Sequence, residues 1–275
     1  MSSQISLKKL QLLVEDGQLI HPLIKSWNGG ILTFFQGLSS QDGSTINAYR
    51  QANLYPDPYF ILDDRTLAYP LLGAQEEMIP EDKIRWNERV RVVNQTADDC
   101  VTVVTENGTE FTGEYVILTN TVGVLQNGFV TFDPLLPPWK YEEFCRWQMG
   151  TVDTIFLKFD TKFWDDTEFI LHASEIAGYY PAFLNLDAEG YHTGTNTLIG
   201  FVSGDEAYRI ERMTDEDVQA EVVEVLKNMY GEDNVPEPTE FYMSRFITDE
   251  DHFGQFTTWP IGTLPRTARN ASELT

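Results

Sequence analysis

Two spacings of apolar residues divide the chain. Short runs or every-other-residue patterns fall at 90–93, 101–103, 115–119, 154–159, 169–171, 197–202 and 239–246. Runs of that kind, rich in Val, Ile, Phe and Tyr, predict strands. After Thr214 the spacing changes: Val218, Val222, Val225, Leu226 and Met229 recur at i, i+4, i+7, i+8 and i+11. That is one stripe of a helix, with Thr214 able to cap it, Asp215, Glu216 and Asp217 at its positive end, and Gly231 to stop it. The stripe predicts burial against a sheet made from the strands near 155–159, 197–202 and 239–246.

Ahead of that sheet, Ile84-Arg85-Trp86-Asn87 opens a meander, and Asn107-Gly108 is a two-residue hairpin signal between its second strand and Thr109–Thr112. Tyr115-Val116-Ile117-Leu118-Thr119 then predicts a buried strand. It runs into Thr121-Val122-Gly123-Val124-Leu125-Gln126, where Gly123 alone lacks a Cβ. A connection with Pro134, Pro137 and Pro138 leads to a helix predicted over 139–147 and to the apolar strand Thr154–Phe159. Together these read as two buried strands joined by a crossover helix. The first fifty residues carry less pattern. Leu7, Leu10, Leu13 and Val14 have helical spacing, broken at Gly17, and Gly29-Gly30 precedes the apolar Ile31–Phe35; no chemistry is assigned there.

Composition changes the picture in three ways. A chain of 275 residues with 42% apolar and 13% aromatic content can bury a substantial core, as one large domain or two small ones. A formal charge of −24 argues against nucleic acid as a partner and favours a cationic ligand, although the same charge also serves solubility. The two cysteines, Cys100 and Cys145, form no metal-binding or disulfide pattern. The N-terminal apolar run stops at Glu15-Asp16, too short for a signal sequence or a membrane span, so the expectation is an intracellular, cytoplasmic chain without a membrane partner.

The order of motifs is itself informative: a strand, Val122-Gly123-Val124-Leu125-Gln126, a Phe-x-Pro-x-Leu-Pro-x-Trp-Lys stretch, a helix, Met149-Gly150-Thr151-Val152-Asp153 with Ile155-Phe156-Leu157-Lys158-Phe159, and Phe163-Trp164. Gly178-Tyr179-Tyr180 and Gly254–Gly262 follow. This order resembles the flavin-dependent amine oxidases, most closely the polyamine oxidases, from about Tyr59 to Gly262. The resemblance implies FAD as cofactor and a cationic small-molecule amine as partner. It places Val90 where the family's backbone meets the adenine of FAD, and Trp259 close to the isoalloxazine. Tyr179 and Tyr180 fall near an aromatic substrate tunnel, where a π face attracts a cationic amine by about 0.5 to 2 kcal/mol. Each of these positions also reads as ordinary packing: Val90 in a half-buried strand, the tyrosines in a sheet, Trp259 in a core.

Three features depart from the family. No G-x-G-x-x-G turn, which would seat the FAD pyrophosphate on a helix N-terminus, occurs in the sequence. No T-G-E turn follows Gly262. Where the family carries a lysine linked to the flavin through a water, this chain has Thr154, the candidate catalytic position; Lys158 is about 13 Å further along an extended strand. The expected fold is α+β: a mixed, largely antiparallel substrate-domain sheet with flanking helices, plus remnants of an FAD-binding domain. The expected division is an unassigned segment 1–58, a partial FAD-domain meander 59–126, a substrate-binding domain 127–247 and a partial return 248–275. By resemblance the function is FAD-dependent oxidation of a polyamine at a CH–NH bond. The alternatives are a fragment of such an enzyme, a paralogue without catalysis, and a module that binds polyamine or a partner.

Overall fold

The structure, a computed structural model, describes residues 81–258 and 260 apart from 98 and 190, together with the short antiparallel strands β1 (Val14–Glu15) and β2 (Gln18–Leu19). Val14 therefore sits in a strand rather than the helix its spacing predicted; Leu7, Leu10 and Leu13 lie outside the described residues.

The main sheet is built around β8 (Val152–Lys158). Its partners are β9 (Phe169–Leu171), β10 (Ala182–Asn185), β11 (Thr197–Ser203) and β12 (Glu240–Met243), in the antiparallel order β12-β8-β11-β10-β9. Alternation along β8 sends Ile155 and Leu157 to one face, where both are fully buried, and Thr154, Phe156 and Lys158 to the other. Helix α4 (Asp215–Tyr230) covers the first face with Val218, Val222, Val223, Val225 and Leu226, as the stripe predicted. Each fully buried Val or Leu contributes about 1.5–3 kcal/mol. Thr214 Oγ1 accepts the Asp217 N–H at 3.2 Å, and Gly231, with φ of 96°, ends the helix. The shorter helix α3 (Asp205–Ile210) adds Ala207 and Ile210 to the same core.

A smaller sheet carries the meander: β3 (Val90–Asn94), β4 (Val101–Thr105) and β5 (Glu110–Gly113), in the order β5-β4-β3-β6. The fourth strand, β6 (Thr131–Asp133), joins β3 in parallel, with Val92 opposite Thr131. Its core is Val93, Val124 and Val130 beneath the short helix α1 (Val122–Gln126).

Two expectations fail in instructive ways. Residues 115–119 form no strand and pair with no described one, and Tyr115 and Ile117 are 89% and 88% exposed. Only Val116 and Leu118 pack on the small core, so the alternation is half satisfied. β6 rather than this segment takes the parallel place beside β3, and the expected strand–helix–strand unit does not form; its helix is α2 (Pro138–Cys145). The predicted strand 239–246 also ends early, at Met243, because the chain turns at 246–248. The α+β class itself holds. Among the described residues no helix is long and apolar enough to cross a membrane.

The two sheets meet along residues 244–254. Thr121 Oγ1 donates to the His252 carbonyl, and Arg89 of the meander pairs with Glu250 at 2.9 Å and Asp251 at 2.7 Å. Strand β7 (Gln148–Met149) pairs with β13 (Thr257–Thr258) beside this joint. Two glycines make the approach possible: a Cβ at Gly123 would lie 2.7 Å from Phe253 Cβ, and one at Gly254 2.5 Å from Met149 Cβ.

Candidate functional site

The face of the main sheet opposite α4 carries the chemistry. Residues directly opposite one another in antiparallel strands point the same way. Thr154 thus shares a face with Phe201, Phe156 with Ile199 and Tyr242, and Lys158 with Glu240. Phe169 and Leu171 of β9 extend it through Leu184 and Ala182 of β10. The result is an apolar, aromatic surface with a polar group at each end. Phe156 and Tyr242 lie 5.8 Å apart, and Tyr242 is 61% exposed.

At one end Lys158 Nζ meets Glu240 at 2.7 Å, an exposed pair of the kind that contributes little to stability. At the other end Thr154 is joined to Ser244, the first residue after β12. The Thr154 N–H donates to Ser244 Oγ at 2.9 Å, the two hydroxyl oxygens are 3.0 Å apart, and the Ser244 N–H donates to the Thr154 carbonyl at 3.0 Å. Two adjacent hydroxyls can hold a water but carry no charge. The neighbouring cations are engaged elsewhere: Lys158 with Glu240, and Arg245 with Asp215 and two backbone carbonyls.

Tyr179 and Tyr180 are not brought to Thr154. Tyr180 is 0% exposed, lies parallel to Phe183 at 6.5 Å, and belongs to the core beneath α4. Its positive φ of 45° accompanies the turn of its ring inward. Burial, with the Glu221 carboxylate nearby, pushes its hydroxyl far above the ordinary tyrosine range. Tyr179 packs edge-on to Tyr180 at 4.8 Å, and its ring already has a cation, Arg209, at 5.8 Å. Arg209 is in turn held by Glu206 at 2.7 Å and Glu221 at 2.6 Å. The aromatic wall exists on the opposite face, made by Phe156, Phe169, Phe201 and Tyr242. The strands that carry them were expected from sequence; which face stayed open was not.

Val90 packs against the small core, and β6 begins its pairing two residues later, at Val92. No described strand therefore pairs with Val90 on that side. Trp259 lies outside the described residues. Neither α1 nor α4 offers a diphosphate a seat at its N-terminus, whereas α2 opens at Pro137-Pro138 with neither a side-chain cap nor an acid in its first turn. Thr121 Oγ1 closes α1, and α4, the longest helix, opens on three acids. Ser244 was missed by sequence reasoning, because only the folded register brings it to Thr154 across 90 positions.

Residues 8–273 match the family model described as flavin containing amine oxidoreductase. The chain is 32% identical over 218 residues to polyamine oxidase 1 of Zea mays, covering 75% of this chain and 43% of that protein. It is likewise 32% identical to polyamine oxidase 7 of Oryza sativa subsp. japonica, over 75% of this chain and 45% of the relative. The chain thus spans less than half the length of these curated relatives. Among solved structures, a mutant of putrescine oxidase superposes with a TM-score of 0.71 at 20% identity, over 96% of this chain and 58% of that one. Cyclohexylamine oxidase from Brevibacterium oxydans gives 0.67 at 15%, over 98% and 59%. At such identities the likeness establishes the fold.

Proposed function

The chain belongs to the flavin containing amine oxidoreductases, and from that membership we propose that it forms the amine-facing part of an FAD-dependent oxidase acting at the CH–NH bond of a polyamine or a related amine. The observation that carries this reading is the open aromatic face beside Thr154, at the position where the family resemblance expects a lysine. What FAD supplies when bound is an acceptor for the hydride equivalent leaving the carbon beside the amine; the product is an imine that water hydrolyses, and oxygen takes the electrons as hydrogen peroxide. The chain's own residues have simpler tasks. Phe156, Phe169 and Tyr242 lie along an alkyl chain and offer π faces to its ammonium groups. The net charge of −24 draws the cation toward the protein. The hydroxyls of Thr154 and Ser244 hold a water at the end of that face. Val90 and Trp259 remain the proposed contacts to FAD, and 59–126 and 127–247 the proposed flavin-side and substrate-side units.

A second reading, a polyamine-binding or partner-binding chain without catalysis, is favoured by one observation: no charge stands at Thr154. One purification separates them. The oxidase reading expects yellow flavin absorbance to copurify, or to appear on adding FAD, together with spermidine-dependent peroxide. Colourless protein that binds spermidine by calorimetry, and stays inactive with added FAD, would replace it with the second.

A further inference from the structure

Asp153, the residue before Thr154, points to the covered face of β8 and is 0% exposed. Facing it are the carboxylate of Glu211, which ends α3, and the backbone amide of Phe246. No basic side chain or hydroxyl bonds either Asp153 oxygen. Glu211 is buried too, and its two oxygens accept the Ile247 and Thr248 N–H groups, each at 2.8 Å. The surrounding charges are accounted for. Arg245 donates to the carbonyls of Glu211 at 2.8 Å and Met213 at 3.1 Å and pairs with Asp215 at the start of α4, while Tyr208 of α3 lies within range of Glu211.

Two buried carboxyls in contact cannot both be ionised without a large penalty. Glu211 has two N–H donors at 2.8 Å, whereas neither Asp153 oxygen has a hydrogen-bond donor. Burial first, and Glu211 second, push Asp153 up to about 8, with the Phe246 amide and Arg245 opposing. At neutral pH its proton is therefore retained, and the Glu211 carboxylate is the acceptor set against it. A hydrogen bond from a neutral acid to a carboxylate is among the stronger kinds.

We propose that Asp153 and Glu211 share one proton and act as a latch that positions the 244–248 turn, and through it the Ser244–Thr154 contact, so that loss of the proton releases the turn. The latch sits at the root of the segment joining the two sheets, since the same stretch continues to His252, which Thr121 holds, and to Phe253 against Gly123. Asp153 meets no substrate; it is a positioning residue. None of these contacts requires a flavin, so the outcome is read on the chain alone.

The sign follows from a folded value raised above the ordinary 3.8. The proton's contribution to stability is complete below about pH 4, declines as pH rises to about 8, and is level beyond, while within the folded state the turn is released only near 8. The test compares wild type with Asp153→Asn, which keeps an N–H donor toward Glu211 but cannot titrate. The Tm of wild type minus that of the variant should fall with pH across that window and then flatten, as wild type loses stability relative to the variant. Hydrogen exchange at Ile247 and Thr248, corrected for intrinsic rate, should lose protection above about pH 8 in wild type and keep it in the variant. A pH-independent Tm difference, or loss of protection in both proteins alike, overturns the latch. Should the variant not fold, carbon-13 titration of wild type decides: an Asp153 carboxyl titrating near 8 together with the 247 and 248 amides supports it, and one titrating near 3.8 sinks it.

Discussion

Thr154 and Ser244, 90 residues apart in sequence, are fastened to one another by both backbone and hydroxyl groups at the end of the open sheet face. The contact extends β12 by one residue beyond its last ladder pair, Met243 opposite Ile155, and so fixes where the chain turns away. Ser244→Ala should cost about 1–3 kcal/mol, because the Thr154 amide is left half-buried without its hydroxyl acceptor. Urea melts would register this as a lowered midpoint at unchanged slope. A midpoint equal to that of wild type would mean that water replaces the serine at no cost.

The two faces of the main sheet make opposite predictions for tyrosine. Tyr242 is largely exposed on the open face, and Tyr180 is enclosed beneath α4. Tyr242→Ala should leave Tm within a few degrees of wild type and weaken spermidine binding several-fold, since one π face is worth roughly 0.5–1 kcal/mol at an exposed site. Tyr180→Ala should leave a large cavity beside Phe183 and cost about 3–5 kcal/mol. Tyr180→Phe, which keeps the ring, should leave spermidine binding untouched. Calorimetric affinities that fall with Tyr180→Phe but not with Tyr242→Ala would reverse the assignment of the binding face.

Much of this was legible beforehand, for reasons that differ between elements. The α4 stripe was clear because Val218, Val222, Val225 and Leu226 repeat at a helical period behind a threonine cap, all local information. β8 was expected as an apolar strand from the run Thr154–Phe159, though not with one face left half-open. What sequence could not assign was which face of β8 a helix would cover, or that Tyr180, placed with the site on resemblance, is enclosed in the core with Tyr179 half-buried against it. Residues 115–119 failed for another reason. Their apolar run met the composition of a buried strand, but burial also requires a neighbour for each backbone edge, and among the described residues there is none. Asp153 and Glu211 gave no signal, because a single acid in an apolar strand and another at a helix end become a pair only in three dimensions.

The joint between the sheets depends on the absence of one methyl group. At Gly123 a Cβ would come within 2.8 Å of the His252 carbonyl oxygen and 2.9 Å of that of Phe253, both backbone atoms with little freedom to retreat. Gly123→Ala should therefore displace residues 252–253 and cost about 1–3 kcal/mol. Exchange at His252 and Phe253 should rise while amides in α4 stay protected. Uniform loss of protection across α4 as well would show that the joint and the main sheet unfold as one unit, against this expectation.

Thr154 itself separates a catalytic reading from a scaffold reading. If the chain binds FAD, the position expected to carry a cation beside the flavin carries only a hydroxyl, so reoxidation by oxygen should be slow. A lysine there would extend from a half-buried position onto the open face, where Lys158, the cation two strand repeats along, is already paired with Glu240. Thr154→Lys should then speed the oxidative half-reaction more than the reductive one, because its charge acts on flavin and oxygen rather than on amine binding. The substitution also removes the hydroxyl contact to Ser244, a loss of about 0.5–1.5 kcal/mol in a thermal melt. Stopped-flow traces of both half-reactions, read beside that melt, distinguish the two readings: a lower Tm with an unchanged oxygen rate leaves Thr154 as a strand residue whose partner is Ser244 and nothing more.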